Sequence, residues 1–211
     1  MKIHTKRGTR GRTALAAVGA AAALVLGSAP AHADTIDVDY DVNGVTHIES
    51  TDSDITLGPA VLHSFVDNVG TFTGNMVLPG TRTEFKLLGF LPVTANVNFE
   101  PVGPTTGSLT RVGRTRVLAS TSQYYVRLTN IKASIIPLFA GPFCRTKQPV
   151  VINANTPTGE AFDTTNGGRL TGEYSIGDFQ NCGLNTLLIN SIIPGAGNTI
   201  ELNLTNGRLP S

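Results

Sequence analysis

The stretch Val93-Thr94-Ala95-Asn96-Val97-Asn98-Phe99-Glu100 decides the fold class, because apolar and polar residues alternate throughout it. Successive side chains of a β-strand point to opposite faces, so this pattern predicts a strand with one buried and one solvated face. Further strands are predicted near 60–66, 71–78, 83–89, 106–112, 115–121, 123–133, 149–153, 168–176 and 198–204. Many short strands separated by turn residues predict an all-β protein, either an antiparallel β-sandwich or a closed barrel.

Two local signals refine the strand prediction. The run from Ile36 to Val42 alternates in the same way and is followed by Asn43-Gly44, which predicts a β-hairpin with a type I′ turn at that dipeptide. In the segment 123–133 the apolar phase slips by one residue at Thr129-Asn130, which predicts a β-bulge.

One segment has a helical period instead. Apolar residues fall at helical spacing after Cys182, and the dipeptide Pro194-Gly195 ends the run. The apolar positions are Leu184, Leu187, Leu188, Ile192 and Ile193. They predict one short helix in an otherwise all-β chain.

The first 33 residues have the three parts of a secretory signal peptide. Five basic residues lie between Lys2 and Arg12, the apolar run Ala14–Leu26 follows, and Ala31-His32-Ala33 is an A-x-A cleavage site. The apolar run is shorter than the ~20 residues of a membrane-spanning helix. We therefore predict cleavage after Ala33, no membrane anchor, and a single secreted domain over residues 34–211 that is extracellular or associated with the cell wall.

Removing residues 1–33 changes the charge of the chain. The full sequence has a formal charge of +1, whereas residues 34–211 hold 11 Lys and Arg against 15 Asp and Glu, a charge of −4. Eight of the acids lie between Asp34 and Thr81, where there is no Lys or Arg. The N-terminal strands are therefore expected to carry a negative face.

The two cysteines, Cys144 and Cys182, both lie in the predicted mature chain. An oxidising extracellular compartment favours a disulfide between them. In the chain-entropy model, a bridge that closes a loop of this size stabilises the fold by on the order of 4 kcal/mol.

A cation site is one interpretation of the acidic N-terminal segment. Asp39, Asp41 and Asn43 place oxygen ligands at alternate positions before Gly44, as in the first half of a calcium loop. The bidentate Glu that such a loop needs at its twelfth position is replaced by Ser50. An acidic strand face explains the same residues without calcium, and no other cofactor is predicted.

A hydrolase is the alternative function. It would use His63, which precedes Ser64, or sheet-face carboxylates such as Glu84 and Glu100. Adjacent strand residues point to opposite faces, which weakens a pairing of His63 with Ser64. No G-x-S-x-G motif is present, and the scarcity of aromatic rings with polar groups argues against a sugar-binding cleft.

Three arginines flank the predicted turn at Val112-Gly113: Arg111, Arg114 and Arg116. They are either solvated side chains of the turn or a small anion-binding patch. So few bases in an acidic protein do not indicate nucleic-acid binding.

Several short motifs resemble a family of small secreted β-rich proteins from high-GC Gram-positive bacteria. They are Gly89-Phe90-Leu91-Pro92-Val93-Thr94-Ala95, Phe143-Cys144-Arg145-Thr146, Cys182-Gly183 with Leu187-Leu188, and Pro194-Gly195-Ala196-Gly197-Asn198-Thr199. The resemblance covers most of residues 70–205 and implies export, the Cys144–Cys182 bridge and β architecture. It implies no activity and no catalytic residue.

The sequence thus predicts a non-catalytic secreted or cell-surface protein that acts by binding or by self-association. Its partner would be an extracellular ligand or a cell-wall component, with the secreted hydrolase as the alternative.

Overall fold

The computed structural model describes residues 35–87, 90–138 and 140–210, which form part of one compact unit, Ala33–Ser211. Its strands are β1 Thr35–Ile48, β2 Ser53–Asp67, β3 Thr71–Met76, β4 Thr81–Leu87, β5 Leu91–Pro101, β6 Thr105–Val112, β7 Thr115–Ala133, β8 Ile136–Pro137, β9 Arg145–Thr146, β10 Val150–Asn155, β11 Gly168–Ile176, β12 Phe179–Gln180 and β13 Gly195–Arg208. The helix α1 spans Thr186–Asn190, and short 3-10 turns lie at Glu49–Thr51 and Gly183–Asn185. The predicted signal peptide, residues 1–33, lies outside the described residues.

The strands pair antiparallel, and the hydrogen-bonded ladder closes on itself. Neighbours follow the order β10, β11, β13, β1, β2, β3, β6 and β7, and β7 pairs with β10 again. The predicted all-β antiparallel fold with one short helix and one disulfide, Cys144–Cys182, is confirmed.

Strand β7 connects several parts of the sheet because it pairs with several other strands. Its first part pairs with β6, its middle with β10, and its last part with β5, which in turn pairs with β4. The sequence predicted two strands over 115–121 and 123–133, and the structure joins them into one strand of 19 residues. The predicted bulge is confirmed, since the register shifts between Thr94, opposite Lys132, and Asn96, opposite Thr129, and Asn130 has a φ of 52°.

The interior is filled by the inward-facing side chains of these strands. Val93, Ala95 and Val97, from the stretch that decides the fold class, are all buried. The two apolar cavities within the core measure about 30 Å³ and 50 Å³, room for only one or two waters. Neither cavity has room for an organic ligand.

The prediction of a hairpin turn at Asn43-Gly44 is wrong. Strand β1 continues through both residues to Ile48, and the chain turns at Glu49–Thr51 instead. A Cβ atom on Gly44 would lie 2.3 Å from the carbonyl oxygen of Glu201 on the neighbouring strand. The glycine therefore permits a close approach of β13 rather than a turn.

The predicted helix after Cys182 is confirmed, although it is only five residues long. The spacing of its apolar residues predicts one buried face. Leu184, in the 3-10 turn before the helix, and Leu187 are instead fully or mostly exposed, and Ile189 is the one buried residue of α1. The outward leucines become part of the candidate binding surface.

Candidate binding surface

The predicted calcium residues lie along the outer side of β1. The carboxylate of Asp39 is 2.8 Å from Nδ1 of His63, and that of Asp41 accepts hydrogen bonds from Asn206 and Arg208 at 2.9 Å and 2.7 Å. These bonds lower the pKa of Asp41. Among the described residues no group of three or more His, Cys, Asp or Glu is arranged to hold a metal ion. The calcium site at Asp39, Asp41 and Asn43 stays a prediction.

The candidate hydrolase residues do not come together. Ser64 is buried and donates a hydrogen bond to the carbonyl oxygen of Val38 at 2.6 Å, whereas His63 is on the outer side of the sheet with Asp39. Adjacent strand positions separate the imidazole from the hydroxyl, as the sequence indicated.

The two candidate carboxylates are also separated. Glu84 lies opposite Thr94 on β5, and Glu100 lies six residues further along that strand, a separation of roughly 20 Å at strand spacing. Glycosidase carboxylates lie about 5–10 Å apart. Glu100 is instead paired with Arg127 and Arg145 at 3.0 Å and 3.3 Å.

The expected negative face is concentrated at the β1–β2 turn. His47 has Nδ1 2.9 Å from a carboxylate oxygen of Asp54, and its Nε2 lies 3.7 Å from Glu49 and 3.9 Å from Asp52. The hydrogen bond to Asp54 raises the pKa of His47, and the other two carboxylates add to the rise. Three exposed carboxylates therefore lie around one half-buried imidazole.

A different surface stands out at the end of the molecule that carries α1. Six large apolar side chains are exposed there on four segments, two beside the disulfide and two at the β4–β5 and β7–β8 turns, and we call this set the apolar end. It consists of Phe90 (74% exposed), Ile135 (90%), Ile136 (65%), Phe143 (69%), Leu184 (100%) and Leu187 (85%). With large side chains contributing roughly 150–200 Å² each, their exposed areas sum to on the order of 1,000 Å² over the four segments.

The disulfide places one half of the apolar end. Phe143 precedes Cys144, and Leu184 follows Cys182 by two residues, so the bridge holds these side chains close together. Both cysteines are fully buried. The side chains on either side of the bridge therefore project from a fixed base.

Strand turns place the other half. Phe90 lies at the β4–β5 turn, and Ile135 and Ile136 lie at the β7–β8 turn. The two turns are joined where the amide of Ser134 donates to the carbonyl oxygen of Pro92 at 2.7 Å. Residues 136–144 then run from this half to the disulfide half.

The base beneath the apolar end is packed. Leu138 from the β8 segment and Leu188 and Ile189 from α1 meet Val93 and Ile131 of the sheet around a cavity of only about 20 Å³. The helix is thus anchored by its inner side, while Leu184 and Leu187 remain outside.

Lysines surround the apolar end. Lys86 lies opposite Pro92 on the β4–β5 pair, Lys132 lies opposite Pro137 on the β7–β8 pair, and the amide of Lys147 binds the carbonyl oxygen of Asp178. All three side chains are exposed, and none forms an ion pair with another described residue. Lysines therefore lie beside the apolar end, with the exposed carboxylates of Glu84 near Lys86 and Asp178 near Lys147.

Sequence reasoning missed the apolar end. Turn segments are normally polar, so Phe90 after Gly89, Ile135-Ile136 after Ser134 and Phe143 after Pro142 were the available signal. That signal names the residues, but only the fold places them at one end.

Comparison with protein-family models, with curated proteins and with solved structures gives no match. The resemblance to small secreted proteins of high-GC Gram-positive bacteria therefore stays a prediction. No helix within the described part of the chain is long and apolar enough to cross a membrane.

Proposed function

We propose that this protein is exported, is not a catalyst, and acts by binding an anionic lipid surface through its apolar end. Export is supported by the predicted signal peptide at residues 1–33 and fits the Cys144–Cys182 disulfide. The observation that carries the binding function is the apolar end itself.

The shape and charge of the apolar end favour a lipid surface. Its side chains project from separate segments and are 65% to 100% exposed, so they can enter an interface without rearrangement of the fold. Lys86, Lys132 and Lys147 border them and complement anionic headgroups, each contributing about 1 kcal/mol near such a surface.

The magnitudes predict reversible binding. Burying a third of an area on the order of 1,000 Å² contributes about 8 kcal/mol at ~25 cal/mol per Å². Three lysines add about 3 kcal/mol, and association costs about 4–15 kcal/mol. The protein would therefore bind peripherally, and its affinity would fall as salt screens the lysines.

Cosedimentation with vesicles tests the proposal. The purified protein, with its disulfide formed, is mixed with vesicles of phosphatidylcholine alone or of phosphatidylcholine and phosphatidylglycerol, whose anionic headgroups give a negative surface. We expect binding to the anionic vesicles and at least tenfold weaker binding for the double variant Leu184→Ser/Leu187→Ser. Val77→Ser, which alters an exposed valine outside the apolar end, is the matched control.

Four outcomes would overturn the proposal. Equal binding by the double variant would exclude the apolar end, and no binding to anionic vesicles would exclude the lipid surface. Sedimentation velocity without vesicles tests whether a second copy of the chain covers the apolar end instead. If the parent protein is an oligomer and the double variant is a monomer, the apolar end serves self-association. Retention by isolated cell wall but not by vesicles would assign it to a wall component.

A further inference from the structure

A groove at the end of the molecule opposite the apolar end combines apolar side chains with two arginines. Strand β7, which is 19 residues long, begins beside it and ends near the apolar end. The groove has a volume of about 710 Å³, within the ~300–1,000 Å³ typical of small-molecule sites. It lies where β1 begins and where β2, β6 and β13 end.

The lining is apolar over much of its area. Ile36 and Leu209, from the two chain-terminal strand ends, remain largely exposed, and Val66 and Leu109 continue the surface down to the core. An alkyl chain is the ligand part that such a lining fits.

Two arginines lie along the groove. Arg111 and Arg116 stand directly opposite each other on the β6–β7 pair, a register in which like charges destabilise a sheet. Their hydrogen bonds go to neutral groups: Nε of Arg111 donates to the carbonyl of Gly113 at 3.2 Å, and Arg116 donates to the hydroxyl of Thr164 at 3.4 Å. Neither forms an ion pair with another described residue. The acid Asp163 interacts with Arg116: its pKa is lowered chiefly by backbone amides of its own turn and to a lesser degree by that arginine.

The other charged groups at the groove are occupied. Arg208 is paired with Asp41 at 2.7 Å. Asp67 accepts the backbone amides of Val69 and Thr71 at 3.0 Å and 2.7 Å, within its own turn. Two adjacent guanidinium groups are thus left facing an apolar groove, and a bound anion would relieve their mutual repulsion.

We propose that this groove binds an anionic amphiphile, with its carboxylate or phosphate head between Arg111 and Arg116 and its alkyl chain on the lining around Ile36 and Leu209. The site is separate from the apolar end, so it does not depend on the function proposed above.

Calorimetric titration with dodecanoate, below its micelle concentration, tests the site. We expect saturable binding, at least tenfold weaker binding of inorganic phosphate, and at least a tenfold loss for Arg111→Gln/Arg116→Gln. Arg114→Gln is the matched control, because it alters the same hairpin outside the groove. The double variant Leu184→Ser/Leu187→Ser should bind dodecanoate as the parent does.

Each contrary result has a distinct meaning. Unchanged binding by the Arg111/Arg116 double variant would overturn the site. Phosphate that binds as tightly as dodecanoate would reduce it to an anion site without an alkyl component, and equal binding of a neutral dodecyl detergent would remove the role of the arginines. Loss of dodecanoate binding in the Leu184/Leu187 variant would place the ligand at the apolar end instead.

Discussion

Cys144 and Cys182 lie 4.3 Å apart at their Cα atoms, and their bridge ties the segment before β9 to the turn that leads into α1. The short strands β9 and β12 pair beside it, with Phe179 opposite Thr146. The disulfide therefore supports the base from which Phe143 and Leu184 project.

Replacing both cysteines by alanine is expected to lower the free energy of unfolding by about 2–5 kcal/mol. Urea unfolding measures the loss. Because the bridge fixes the start of α1, hydrogen exchange should accelerate most in residues 183–190. Equal acceleration throughout β1 would contradict a local supporting role for the bridge.

The closed ladder of strand pairings shows what a local sequence pattern can predict and what it cannot. Alternation around Val93 and Val97 located the strands, and the phase slip located the bulge at Asn130. The pairing of β13 with β1 joins residues more than a hundred positions apart, and no local period encodes it. Sequence reasoning therefore predicted the fold class and left sandwich and barrel open.

The candidate sites show the same limit more strongly. Leu184 and Leu187 have the spacing of a buried helical face, but burial depends on a neighbour that the fold does not supply. Arg111 and Arg116 were identified around their turn from the sequence. Their position beside an apolar groove depends on the distant strand ends that bring Ile36 and Leu209 there.

The environment of His47 predicts a pH dependence. Its pKa is raised above the reference value of 6.5, chiefly by the hydrogen bond to Asp54. A raised folded-state pKa means that this stabilising contribution is complete below pH 6.5 and is lost as the pH rises through the raised value. An NMR titration of the ring should give a pKa above 6.5 that Asp54→Asn lowers. Asp37→Asn, ten residues away on the same strand, should leave it unchanged, and an unaltered pKa in Asp54→Asn would refute the assigned cause.

Gly44 tests the reinterpretation of the Asn43-Gly44 dipeptide. An added Cβ would lie 2.3 Å from the carbonyl oxygen of Glu201 and 2.7 Å from a methyl group of Leu202, so β13 would have to move. We expect Gly44→Ala to cost about 1–3 kcal/mol of unfolding free energy, as overpacking does. Gly177→Ala is the control, since no atom lies within 4 Å of its added Cβ. Similar stability of both variants would show that the close approach is not what requires glycine.

The arginine pair should respond to a reversal of charge. Arg111→Glu places a carboxylate opposite Arg116 and converts a repulsive cross-strand pair into an attractive one, worth about 0.2–1 kcal/mol. We expect a rise of that size in the free energy of unfolding, reduced by high salt. Arg114→Glu, at the turn, has no such partner and should change stability less. A lower free energy of unfolding for Arg111→Glu would mean that the two arginines do not repel each other appreciably.

The exposed and buried sides of α1 should differ in what they contribute. Ile189 is buried against the sheet, so Ile189→Ala is expected to cost about 2–5 kcal/mol of unfolding free energy. Leu184→Ser and Leu187→Ser remove side chains that touch little of the fold, and each should change stability by about 0.5 kcal/mol or less. Urea unfolding compares the three variants on one short segment. If the leucine variants lost as much stability as Ile189→Ala, these leucines would be packed in solution. An accompanying change from oligomer to monomer in sedimentation velocity would then identify a second copy of the chain as what covers them.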